Sequence, residues 1–254
     1  MSMTFSAGTD IQATFDVAVV TPTILRPKLL RAATSVFSQK GVDRIQMLIG
    51  IDKPIGDRAV LNQIKAACPA DHAVTIFDLG YSTAAHHGGP HATYGGGALR
   101  TILTLAANAR YVAYLDDDNW WDDDHLAALL DAVQGKDWAF SLRWMVNPNT
   151  DEPVCIDEWD SVGPGAGVAA EKWGGFVDSN CLLIDVPACL AELHNWCLPF
   201  RPEHSNRGAD RSLFDAIKDK PYGETGKATA YYGLPTDDPD GEKRLATYRQ
   251  LTGT

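Results

Sequence analysis

The sequence predicts an α/β fold, a single domain in which a central, mostly parallel sheet is flanked by helices. Three observations predict it. Apolar runs of strand length alternate with helical patterns through the first half of the 254-residue chain. The run ending at Val20 is β-branched and continuously apolar, as strands buried on both faces are. The joins are short, which suits crossover connections in a parallel sheet.

Residues 1–15 read as a polar tail. Asp16 to Val20 forms the first strand and Thr21 to Pro27 the turn after it. Leu29, Leu30, Ala33 and Phe37 share one face of a helix over 28–38. A second strand, 45–51, ends at Asp52; a helix over 57–67 and a third strand, 73–77, follow. A loop rich in Gly and His, 80–97, opens onto a helix over 98–109, and the strand 111–115 comes next. The triplet Asp122, Asp123 and Asp124 precedes a helix over 125–133, where carboxylates cap free N–H groups. The second half is less regular. It offers strands at 138–144 and 176–184, a helix at 210–218 and a long Gly-, Pro- and Asp-rich segment, 147–175, of a length typical of functional lids.

Composition narrows the function. With 22 basic against 33 acidic residues the net charge is −11, and no basic stripe compensates, so no nucleic-acid partner is expected. No apolar run approaches the roughly 18 residues of a membrane span. The first ten residues lack a secretory pattern. Cys68, Cys155, Cys181, Cys189 and Cys197 are odd in number and contain no C-x-x-C pair, which favours reduced thiols and a cytoplasmic protein.

The most informative stretch is Tyr111 to Trp121, an apolar strand ending in Asp116, Asp117 and Asp118. Carboxylates ~5 Å apart repel by about 3 kcal/mol per pair at an effective dielectric of ~20. A cation, protonation or solvent relieves such a cluster. In extended geometry Asp116 and Asp118 point to one side, spaced to share a hard divalent ion such as Mn²⁺ or Mg²⁺. In parallel sheets ligands collect at the carboxyl ends of the strands, where Asp52 also lies.

Four segments, in order, carry a resemblance. They are Val17 to Pro27, Ile51-Asp52, Gly95-Gly-Gly-Ala-Leu-Arg100 and Tyr114-Leu-Asp-Asp-Asp-Asn-Trp-Trp121. Together they resemble glycosyltransferase family 2, inverting nucleotide-sugar enzymes with the GT-A fold, a single Rossmann-like domain. The likeness covers roughly residues 16–220. It implies a domain at 16–234, with a nucleotide-binding half at 16–120 and an acceptor-side half at 121–234, followed by a polar segment at 235–254. It implies a nucleotide-sugar donor, a UDP-sugar first, a carbohydrate or other hydroxyl acceptor, and Mn²⁺ or Mg²⁺ as cofactor.

Carried over residue by residue, the likeness makes Thr21, Pro22, Thr23 and Arg26 the first nucleotide loop and Asp52 the acid that contacts the base. A lone carboxylate at a strand end also suits an exposed turn beside Lys53-Pro54, and the family's usual acid and Gly-Ser are missing there. Gly95 to Gly97 open a helix whose N-terminus suits an anion, and Arg100 resembles the nucleotide-holding arginine. Asp116 and Asp117 fall among the donor contacts, with Asp116 and Asp118 as metal ligands. Asp210, in Asn206 to Phe214, matches the catalytic base, with helix capping as the rival reading and Ala209 where the family has an acid; His204 is a second candidate. Trp173, Gly174, Gly175 and Asp178 resemble the acceptor segment, and Trp144, Trp159 and Trp173 suit either a pyranose face or the core. His86, His87 and His91 match no zinc spacing, and the glycines around them suggest a loose loop. Other readings are a retaining enzyme on the same fold, a nucleotidyltransferase, which the Thr-Pro-Thr turn argues against, and a non-catalytic nucleotide- or carbohydrate-binding module.

Overall fold

A computed structural model of the chain describes residues 3–6, 8–93, 96–147, 149–201, 203, 208–233, 246 and 250. The first half runs β1 (Met3–Ser6), β2 (Phe15–Thr23), α1 (Leu29–Phe37), β3 (Ile45–Ile51), α2 (Ala59–Ala67), β4 (Ala73–Asp78), α3 (Gly97–Ala106) and β5 (Ala109–Tyr114). The second half runs β6 (Trp120–Trp121), α4 (His125–Ala132), β7 (Trp138–Val146), β8 (Pro153–Ile156), β9 (Gly163–Pro164), α5 (Ala170–Trp173), β10 (Gly175–Phe176), β11 (Leu182–Asp185), α6 (Val186–Cys189), α7 (Ala209–Ile217) and β12 (Tyr222–Gly233).

The large sheet has the order β1-β4-β3-β2-β5-β11-β7-β12-β6, with β8 added to β7. Its N-terminal core, β4-β3-β2-β5, is parallel. β11 lies antiparallel between β5 and β7, so the sheet as a whole is mixed. Val17 to Val20 and every residue of β3 are buried, in keeping with sequences that are apolar apart from Gln46. Leu29, Ala32, Ala33 and Val36 present the buried stripe of α1. In β3, a Cβ at Gly50 would come 2.8 Å from the end of the Leu103 side chain, which would have to shift to make room against α3.

β2 has β3 on one side and β5 on the other, and the chain order reverses there. A crevice opens past the carboxyl ends of strands at such a switch point. Thr23 and Leu115 flank it, held in register by the Leu115 N–H to Val20 O bond of 3.1 Å.

Several boundaries differ from the sequence reading. Thr21 to Thr23, expected in a turn, continue β2 against β3. Met3–Ser6, inside the expected polar tail, pairs antiparallel with β4. α3 stops at Ala106, and Asn108 ties its N–H to Gln46 and its amide to the carbonyls of residues 11–13. The expected strand 176–184 is broken, because Asp178 caps a turn at Ser179–Cys181 by accepting from the Asn180 N–H at 2.8 Å. The segment 147–175 carries β8, β9 and α5. β12 was not expected at all: its Gly, Thr and Lys residues obscure the strand pattern. The five cysteines are free thiols, in keeping with the reading from their number. Among the described residues no helix is long and apolar enough to cross a membrane. The polar segment after 234 lies almost wholly outside the described residues.

Candidate active site

A cleft of about 440 Å³ fills the crevice. It brings together Pro22, Thr23, Arg26, Asp52, Arg100, Asp116, Asp117, Asp118, Asp178 and Asp210, residues spread over most of the chain. Thr21 is fully buried and lies off the cleft. Gly95 and His204 are outside the described residues.

The three consecutive aspartates do three different things. Asp117 is 2% exposed and both its oxygens are occupied: Oδ2 accepts from Thr23 Oγ1 at 2.6 Å and the Ile24 N–H at 3.3 Å, while Oδ1 takes Arg26 Nη1 at 2.7 Å. The sequence reading made it a donor contact; here it ties the loop after β2 to the end of β5. Asp116 is clamped by Asn180, whose Oδ1 accepts the Asp116 N–H at 2.7 Å and whose Nδ2 donates to Oδ2 at 3.0 Å. Its Oδ1 pairs with Arg100, itself 5% exposed in the side chain. Asp118 is the under-compensated member. Among the described residues its one ion pair, to Arg26, is long at 3.4 Å, and its side chain is 32% exposed. Burial, then the neighbouring Asp116, pushes its pKa up to about 6.

Across the cleft, Asp210 sits in the first turn of α7. The residue in the N-cap position is Gly208, with φ +82°, and Asp210 instead meets a free N–H of the first turn. Its Oδ1 accepts from the Arg211 N–H at 2.8 Å. Burial first, and then the charge of Asp178, raises its pKa to about 6.

Asp178, expected to hold an acceptor hydroxyl, is occupied. Arg143 Nη1 reaches Oδ2 at 2.6 Å, and Asn180 donates to Oδ1 through its N–H at 2.8 Å and Nδ2 at 2.6 Å. Arg143 is buried and also bonds Asp157 at 2.8 Å and Asp160 at 3.1 Å, with its guanidinium 4.2 Å from the Tyr232 ring centre. Replacing it by Met would leave buried carboxylates without a counter-charge. Arg143→Met should lose about 3–5 kcal/mol of stability in urea unfolding at pH 7. A loss below 1 kcal/mol would show the network to be dispensable.

Other residues singled out in the sequence lie outside the lining of the cleft. Trp173, Gly174 and Gly175 lie outside the cleft lining: Trp173 packs edge-on against Phe200 at 5.9 Å, and the glycines take positive φ where β9 meets β10. Trp144 donates to Ala228 O at 3.1 Å, and Trp159 packs beside Met145 and Cys155, both off the cleft. Asp122, Asp123 and Asp124 cap nothing with their side chains; they meet Tyr231, Lys40 and Lys227. Gly97 has a packing reason, since a Cβ there would meet Trp196 O at 1.9 Å. The sequence reading missed Asn180 as the Asp116 clamp and Tyr232 in the cleft wall. Asn180 stands two residues after Asp178, which the sequence did single out; Tyr232 lay on the unseen β12.

Asp52 is buried at the other end of the cleft, its Oδ1 accepting from Ser82 Oγ at 2.6 Å and its Oδ2 3.0 Å from His87 Nδ1. The loop bearing His86 and His87 is not loose. Backbone bonds Ala85 N–H to His91 O (2.7 Å), His91 N–H to Thr83 O (2.9 Å) and Gly89 N–H to Ala84 O (2.9 Å) close it.

No protein-family model matches the sequence, and no curated protein does. Solved structures match its shape. Residues 1–349 of TarS from S. aureus superpose with a TM-score of 0.61 at 12% identity, over 92% of this chain and 65% of that one. The chain has the GT-A fold. The same TarS fragment in complex with UDP-GlcNAc gives 0.62 at 11% identity, over 92% and 66%. The mannosyltransferase PcManGT from Pyrobaculum calidifontis, in complex with GDP-Man and Mn²⁺, gives 0.58 at 11%, over 95% and 64%. The GT-A chain described here thus spans about two thirds of those proteins, and 39% of the longer TarS structure.

Proposed function

We propose that this GT-A chain is a metal-dependent glycosyltransferase that moves a sugar from a nucleoside diphosphate, a UDP-sugar first, to an acceptor hydroxyl with inversion. One observation carries the reading. A single cleft at the switch point of the sheet holds two carboxylates with raised pKa values, Asp118 beside Asp116 and Arg26, and Asp210 on α7.

Arg26 and Arg100 supply fixed positive charge for a diphosphate, and the N-terminus of α3 lies beside them. Mn²⁺ or Mg²⁺ fits the donor set at Asp118, whose carboxylate is a hard ligand with capacity left over; Asp116 would assist. When bound, the ion neutralises charge on the departing diphosphate. Asp210 takes the proton from the acceptor hydroxyl, and its pKa near 6 keeps it largely ionised yet basic at neutral pH. The matched structures support the donor class, since TarS holds UDP-GlcNAc and PcManGT holds GDP-Man with Mn²⁺.

The test is a panel of UDP-, GDP- and dTDP-sugars with and without Mn²⁺. One donor should raise the melting temperature only with metal, since ligand at 100 times Kd adds about 2.7 kcal/mol. It should then be hydrolysed or transferred with the opposite anomeric configuration by proton NMR. A retained anomer overturns inversion; binding without turnover makes the protein a binding module; no response to any donor removes the proposal.

A further inference from the structure

The geometry points to a second metal site, one that takes a borderline first-row divalent ion such as Zn²⁺ or Co²⁺ through Asp52, His86 and His87. One ligand atom from each residue lies within 4.8 Å of the other two. Donors about 2.0–2.2 Å from a shared ion stand roughly 3.4 Å apart in a tetrahedron. The Asp52 Oδ2 to His87 Nδ1 separation of 3.0 Å is close to that already, and the His86 donor lies within 4.8 Å of both partners.

Three further features fit an ion there. The two imidazoles are neighbours, with ring centres 3.8 Å apart and planes tilted by 43°, so both reach the same volume. Ser82 Oγ fixes the far oxygen of Asp52, the outer-sphere bond that orients metal-binding carboxylates. The carrier loop is closed by its own backbone bonds, and the Asp52 side chain is only 8% exposed, so two of the donors are held before an ion arrives.

The donor set decides the metal. Two imidazoles and one carboxylate suit Zn²⁺, Co²⁺ or Ni²⁺, whereas Mn²⁺ and Mg²⁺ prefer the all-oxygen environment of Asp118. Three protein ligands leave a coordination position open, and it faces the cleft that all three residues line. The site therefore exchanges its fourth ligand and does not serve as a closed structural clip. Its test concerns binding of the metal alone and needs no turnover, although Asp52 lines the cleft proposed for the donor.

Calorimetry with Zn²⁺ and visible absorption with Co²⁺, on protein stripped of metal, test it directly. The wild type should bind one equivalent outside the Asp118 region, so Asp118→Asn and His91→Ala should keep that equivalent with unchanged affinity. The double variant His86→Ala/His87→Ala should lose 10–100-fold or more in affinity while melting at the wild-type temperature. The tetrahedral Co²⁺ bands should vanish with it. No Zn²⁺ binding by the wild type, undiminished binding by the double variant, or loss of the equivalent in Asp118→Asn or His91→Ala would each overturn the assignment. Should the double variant melt lower, single His86→Ala and His87→Ala proteins, each removing one ligand, decide the matter by the same titrations.

Discussion

Asp210→Asn should reduce kcat by a factor of roughly 10²–10⁴, the range that a positioned general base contributes, and leave donor binding within a few-fold of wild type. The argument is local. Asp210 sits on a helix whose cap is Gly208, makes one bond to the Arg211 N–H and faces the cleft with a pKa of about 6. A base works in its ionised form, so kcat/KM of the wild type should climb as pH rises through about 6 and level off above it. In Asp210→Asn that limb should disappear from the residual activity. The second cause of the raised pKa gives an internal control. Asp178→Asn removes the like charge that disfavours ionisation of Asp210, so the rising limb should move to lower pH while the plateau survives. Kinetics across pH 4.5–8.5 with one donor and saturating acceptor read both effects. Wild-type turnover by Asp210→Asn, or a profile that ignores Asp178, would remove Asp210 from the reaction.

The parts of this site legible in the sequence are those that depend on the chain's local pattern. β3 was bounded correctly because Ile45 to Ile51 is apolar apart from Gln46 and buried at every position. The parallel core followed from such runs, and it placed Asp52 and Asp116 to Asp118 at one end of the sheet. What the sequence hid was long-range pairing. Nothing near Asp117 announces that Thr23 and Arg26, more than ninety residues earlier, occupy both its oxygens. Three like residues in a row therefore read as one cluster, although one anchors a loop, one is clamped by Asn180 and Arg100, and one is left short of partners. The Asp52 group was illegible for the same reason. Histidine spacing along the chain carries no signal when one ligand lies over thirty residues upstream and a backbone-bonded loop brings it close. Asp178 is the opposite case, a residue that lines the cleft while Arg143 and Asn180 already hold its oxygens.

Asp118→Asn should separate stability from function. Activity should fall roughly a thousandfold or more, the several kcal/mol expected when a metal's main carboxylate is lost, and Mn²⁺ should no longer raise the affinity for UDP. Stability should move the other way in metal-free protein. A carboxyl whose folded-state pKa, about 6, exceeds its unfolded value near 3.8 favours the fold only when protonated. That contribution is complete below about pH 4 and lost as pH rises through 6, so at pH 7.5 the ionised Asp118 strains the apo fold against Asp116 and Asp117. The neutral amide removes the strain, and solvent at a side chain 32% exposed limits the gain to about 1–2 kcal/mol. Asp118→Asn should therefore melt above wild type at pH 7.5 without metal, and the gap should close towards pH 4. Adding Mn²⁺ and UDP should reverse the order, because only the wild type then gains ligand-linked stability. A variant that melts below wild type without metal, or that keeps the Mn²⁺ response, would show that the repulsion at this strand end is relieved by something other than a bound cation.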